Sequence, residues 1–169
     1  MVWLIVILVL IFSYIVIGLF LPSTVTLANS LNMSGNAIDL YKRIEDFSHW
    51  NEWAIWNEDK SMDVTVSEVS KGIGAKYSWK SKIKEIKDGS LTLIDSDENH
   101  TLTYDFHYGK SKRGQILFNI EEQEAGTFVI CAMTLDNKTK IFSRYFLYII
   151  RKSILSNINE VLLKIDGGL

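Results

Sequence analysis

The chain begins with an unbroken apolar run and then changes to mixed patterns. From Val2 to Leu21 the sequence VWLIVILVLIFSYIVIGLFL carries no charge. At 1.5 Å per residue such a run reaches roughly 30 Å, the thickness of a bilayer's hydrocarbon core. Its Leu, Ile, Val and Phe residues each favour insertion by about 0.3–0.6 kcal/mol near a helix centre, and Ser13 and Tyr14 do not offset that. Pro22 lacks an N–H and disfavours helix at Leu21, so the span is expected to stop there. A cleaved signal peptide would need a basic leading region, a shorter apolar stretch and small residues before the cut. No Lys or Arg precedes the run. The pattern predicts a transmembrane anchor over residues 1–22 and one domain over residues 23–169, giving a single-pass membrane protein. The first basic residue after the span is Lys42, so the positive-inside rule has almost nothing to count. The α-amino group leans only slightly toward a translocated domain.

Past Pro22 the pattern alternates between helical and strand periods. Leu27–Met33 reads as a first strand. Ser34 or Asn36 can cap a short helix over Ala37–Phe47, with Ile38, Tyr41 and Ile44 on one face. The segment Phe47-Ser48-His49-Trp50-Asn51-Glu52-Trp53-Ala54-Ile55-Trp56 is too dense in rings for a solvent loop. A period of two begins at Asp63, with Val64 and Val66. After a turn at Gly72–Gly74, residues Ala75, Tyr77, Trp79, Ser81 and Ile83 alternate with Lys76, Ser78, Lys80, Lys82 and Lys84. Asp88-Gly89 is a hairpin signal. Strands are expected near Ser90–Asp95, Thr101–Tyr108, Gln115–Glu121 and Thr127–Leu135. The helical period then returns, with Phe142, Tyr145, Phe146, Ile149, Ile150, Ile154, Ile158, Val161, Leu162 and Ile165 on one stripe and a stop at Gly167-Gly168.

The order is strand, short helix, a meander of about six strands and one long helix. It predicts an α+β fold, a curved antiparallel sheet whose apolar face is covered by the terminal helix. One helix about 10 Å wide cannot cover so many strands, so a ring-lined gap between helix and sheet is expected.

Composition narrows the partners. A net charge of −2 and an isoelectric point near 5.9 argue against nucleic acid. Cys131 is the only cysteine, so no intrachain disulfide can form. Three Asn-x-Ser/Thr triplets, at Asn32, Asn99 and Asn137, matter only in a eukaryotic secretory setting.

The segments Asp46-Phe47-Ser48-His49-Trp50-Asn51-Glu52-Trp53, Gly72-Ile73-Gly74-Ala75-Lys76-Tyr77-Ser78-Trp79 and Asp88-Gly89-Ser90-Leu91-Thr92-Leu93, taken in this element order, resemble the polyketide cyclase/dehydrase-like branch of the START-like (SRPBCC) superfamily. The resemblance covers roughly Leu27 to the C-terminus. It departs at Asn51 and Ile55, where members often carry proline. It implies a helix-grip fold with a hydrophobic cavity. It does not by itself imply cyclase activity, because the superfamily spans lipid carriers, ligand-gated modules, stress proteins and a minority of enzymes.

Candidate chemistry is sparse. His49, His100 and His107 lack metal-ligand spacing, and neither a G-x-S-x-G elbow nor a phosphate loop is present, so no metal and no cofactor is expected. Gly72-Ile73-Gly74 reads as a turn. Asp105 and His107 share one face of a strand, with Tyr104, Phe106 and Tyr108 on the other. His107 facing inward could act as a general acid or base; rings inward and the polar pair outward is the simpler expectation. The strand lysines 76, 80, 82 and 84 form a solvated face or, near a bilayer, attract anionic headgroups. The terminal helix could lie on a membrane, though its stripe is more simply the lid of the sheet. Trp53, Trp56, Tyr77, Trp79, Tyr104, Phe106, Tyr145, Phe146 and Ile149 are the expected cavity wall, and their other reading is plain core. Three functions follow. The first is a membrane-anchored domain that binds a hydrophobic small molecule or lipid. The second is a cyclase- or dehydratase-type enzyme with titratable groups converging in the cavity. The third is a protein-interaction module that uses an exposed apolar face.

Overall fold

Alternation along the strands and the helical stripe at the end become two packed layers. The computed structural model describes residues 2–54, 62–81, 88–109, 112–136 and 141–167, without the side chains of 112, 141–143 and 146. Its elements run α1 (Val2–Phe20), β1 (Thr24–Met33), α2 (Ala37–Glu45), a 3-10 turn (Phe47–His49), α3 (Trp50–Trp53), β2 (Asp63–Val66), β3 (Lys76–Lys80), β4 (Gly89–Asp97), β5 (Thr101–Tyr108), β6 (Lys112–Gln123), β7 (Gly126–Asp136) and α4 (Ile141–Asp166).

Seven strands form one antiparallel sheet in the order β1-β7-β6-β5-β4-β3-β2. From β2 to β7 each strand pairs with the next, while β1 crosses over to pair with β7, from Thr24 opposite Asp136 to Met33 opposite Thr127. A register shift between Leu93 and Asp95 interrupts the β4–β5 ladder, the kind of irregularity that bends a sheet. One row of paired residues, Thr24, Asp136, Arg113, His107, Ser90, Ser78 and Thr65, crosses the whole sheet. It marks the end of the sheet at which the chain arrives from α1.

β1 begins three residues before the expected Leu27. Its alternation is weak because Thr24 and Thr26 face outward, and pairing with β7 extends it regardless. Asn36, rather than Ser34, caps α2, accepting from the Asp39 amide at 2.8 Å. Ser34 instead donates from its amide and hydroxyl to Asp166 Oδ1, at 2.9 and 3.1 Å, and so ties the end of α4 to the start of α2. The tight turn at Gly72–Gly74 is present, with φ of +81° and +93° at the two glycines, a region that residues with a Cβ rarely occupy.

The core lies between the sheet and the helices. Leu91, Leu93, Leu102, Tyr104, Phe118, Ile120 and Val129 come from the strands, Leu40 and Ile44 from α2, and Ile158, Val161, Leu162 and Ile165 from the second half of α4. The helix α1 contributes almost nothing to it. Gly18 is its one buried residue, and the helix is long and apolar enough to cross a membrane. At its end α1 meets α4 through Arg144 and Tyr145.

Candidate functional site

Aromatic side chains on α3 and on the concave strand faces form a continuous series. Asp46 starts it by capping the 3-10 turn, its carboxylate accepting from the Ser48 amide and hydroxyl at 2.9 and 2.7 Å. Burial pulls that carboxyl's pKa upward, but the Ser48 and Ser70 hydrogen bonds and nearby His49 outweigh it, so the group lies below its ordinary range. The turn puts Phe47 and Trp50 at the centre, with ring centroids 4.7 Å apart. From Trp50 the series reaches Trp53 at 4.5 Å, Tyr104 at 5.3 Å and Tyr77 at 5.7 Å. From Tyr77 it continues to Trp79 at 6.3 Å, to Phe106 at 6.2 Å and to Tyr108 at 6.1 Å, the last two steps stacked.

Gly89 makes the Trp79 position possible. A Cβ there would meet the indole Cζ2 at 2.1 Å and the His107 carbonyl at 2.7 Å, so only a glycine leaves room for the ring against β4.

Polar ends along the series are treated unequally. Trp50 Nε1 and the Tyr104 hydroxyl both donate to the Ile44 carbonyl, at 2.8 and 2.7 Å. Trp53 Nε1 is equally buried and has no acceptor among the described residues. An unpaired buried donor normally costs about 1–3 kcal/mol. Tyr104 and Cys131 are held protonated, Tyr104 by burial and then by Glu45 and Tyr41, and Cys131 by burial, which pushes its thiol to about 12.

Of the nine expected wall residues, Trp53, Tyr77, Trp79 and Tyr104 are buried in this series, and Phe106 lies at its half-buried end. Trp56 lies outside the described residues, and the Phe146 side chain is not described. Tyr145 stacks on Tyr14 of α1 instead, and Ile149 is 76% exposed. The reason is that these two positions point away from the core, Tyr145 toward α1 and Ile149 outward, while Ile158, Val161, Leu162 and Ile165 are the α4 residues fully inside it. Phe47, Trp50 and Tyr108 complete the series, and the Phe47–Trp50 spacing of three residues was the available signal for two of them. Asp105 and His107 pair at 2.8 Å on the opposite face from Tyr104. A groove of about 520 Å³ lies elsewhere, along α2, α3 and the end of α4, lined by Arg43, Glu52, Glu160, Leu163, Lys164 and Gly167. Its ion pairs, Arg43–Glu52 and Lys164–Glu160, both at 3.1 Å, give it a charged lining. Among the described residues no group of three His, Cys, Asp or Glu side chains could hold a metal ion.

No family model and no curated protein matches this sequence. Solved structures do. An uncharacterized protein from Rhizobium leguminosarum superposes with a TM-score of 0.62 at 12% identity, covering 85% of this chain and 92% of its own. The KanY protein gives 0.65 at 13% identity over 87% and 98% of the two chains. The di-domain ARO/CYC StfQ of the steffimycin biosynthetic pathway gives 0.64 at 12% identity over 85% of this chain and 50% of that one. The fold is thereby defined as α+β helix-grip, a seven-stranded antiparallel sheet gripping a long C-terminal helix.

Proposed function

We propose that this chain is a membrane-anchored domain of the polyketide cyclase/dehydrase-like, START-like kind that binds a hydrophobic small molecule or lipid drawn from the adjoining bilayer. One observation carries the reading. The ring series runs from the core to a half-buried end, Phe106 and Tyr108, and those residues flank His107 in the row that begins at Thr24, just after α1. With α1 spanning the bilayer, the half-buried end of the series would lie toward the lipid surface. Apolar area buried among such rings is worth about 25 cal/mol per Å², so a modest ligand can be held. The spare donor at Trp53 suits a ligand that carries a carbonyl or hydroxyl oxygen. An enzyme of the cyclase or dehydratase type needs titratable groups facing the rings. The Asp105–His107 pair is on the other face, and the Tyr104 hydroxyl is engaged with the Ile44 carbonyl, so binding is the better supported reading.

The test is to purify the full chain from its membrane, extract it with organic solvent and identify apolar molecules by mass spectrometry. A Phe106→Arg chain purified in the same detergent is the control, since a charge at the half-buried end would close it. A molecule enriched near one per chain in the unmodified protein and absent from the control supports the proposal. Identical extracts from the two chains would end it.

A further inference from the structure

The last turns of α1 and the first turns of α4 are clasped. The Tyr145 hydroxyl donates to the Tyr14 carbonyl at 2.6 Å, and the two rings stack with centroids 4.4 Å apart and planes 15° from parallel. Arg144 Nη1 donates to the carbonyls of Gly18, Leu19 and Leu21, at 3.1, 3.2 and 3.1 Å. The final carbonyls of a helix have no partner within it. Water serves them in solution, but in hydrocarbon nothing does. A cation at that end also meets the negative pole of the helix dipole. Buried Gly18 sits at this crossing, and a small residue there lets a second helix approach closely.

Depth follows from length. The 19 residues of α1 reach roughly 29 Å, which only just spans a hydrocarbon core. Tyr14 therefore lies roughly 10 Å inside the span when measured from Leu21. A side chain bonded to the Tyr14 carbonyl is carried to a similar level. Just beyond the clasp, Tyr148 and Ile149 are 75% and 76% exposed. Arg151 and Lys152 come next, both exposed. Large apolar and aromatic residues followed by basic ones is the order found between acyl chains and phosphates.

We infer that the first turns of α4, from Arg144 to Ile150, form a second membrane element, lying beside α1 in the boundary between headgroups and acyl chains. The occupant of the exposed Tyr148–Ile149 face is the same bilayer that α1 crosses. The inference rests on α1 spanning that bilayer. It adds that the domain is docked in one orientation, with its sheet end held against the surface, rather than swinging from a tether.

Spin labels on the full chain in vesicles of phosphatidylcholine and phosphatidylglycerol separate the two ideas. Labels are placed singly by Val9→Cys in α1, Ile149→Cys, Tyr148→Cys and Glu98→Cys, the last in the β4–β5 turn at the far end of the sheet. Native Cys131 is buried and does not compete for the reagent. The expected result is that labels at 9, 148 and 149 collide with oxygen and are shielded from a water-soluble nickel chelate, with nickel accessibility about tenfold below that at 98. Shielding at 9, with positions 148 and 149 as nickel-accessible as 98, would leave the anchor standing and overturn the docking. Nickel access at 9 as well would overturn both.

Discussion

Gly89 shows how little of a site a single position can reveal. In the sequence it is half of a hairpin signal; in the fold it is the floor under Trp79. Gly89→Ala is expected to destabilise the chain by about 1–3 kcal/mol through overpacking and to shift the tryptophan emission as Trp79 is displaced, which denaturant unfolding followed by fluorescence will measure. Asp46 carries a pH dependence. Its folded-state pKa lies below the ordinary value, so its contribution is present above the unfolded pKa and is lost as pH falls through the folded one. Asp46→Ala is therefore expected to lower stability by about 1 kcal/mol at neutral pH, and the gap between mutant and parent should close as acid is added. Thermal unfolding of both chains from pH 7 downward checks this. At this scale the ring types were legible from density alone, and the facing of Asp105 and His107 from strand alternation. The Trp53 donor without an acceptor was not, because hydrogen-bond pairing depends on the neighbouring backbone and not on sequence spacing.

Among the elements, α4 departs most from its reading. Its stripe keeps helical spacing from Phe142 to Ile165, and a periodicity cannot say which neighbour each turn meets. The structure divides the helix in two, with Ile158, Val161, Leu162 and Ile165 on the sheet and Tyr145 on α1. Leu162→Ala, at a position with no exposure, is expected to destabilise by about 2–5 kcal/mol, whereas Ile149→Ala should leave the unfolding midpoint of detergent-solubilised protein within error. Chemical denaturation of the two variants side by side tests the division; equal losses would show that the first turns also belong to the core. The strands were legible because each has one buried face, and their extents shifted at the ends because pairing with a neighbour, as β1 shows with β7, extends a strand beyond its own pattern.

For the molecule as a whole, element order was enough to reach an antiparallel sheet covered by a terminal helix, since a meander with one such helix has few ways to bury its apolar face; the helix-grip expectation came with the family resemblance. What order could not supply was the junction of α1 with α4, which depends on residues more than a hundred positions apart, as Tyr145 and Tyr14 are. The same separation bears on how the protein is made. Each residue of β1 is made more than ninety positions before its partner in β7, the strand it pairs with among the described residues. Throughout that interval a strand of ten residues hangs beside a hydrophobic helix with both of its edges unpaired, open to pairing with other nascent chains. The period of greatest hazard for that strand is thus set by translation, and it ends when β7 arrives to pair with it.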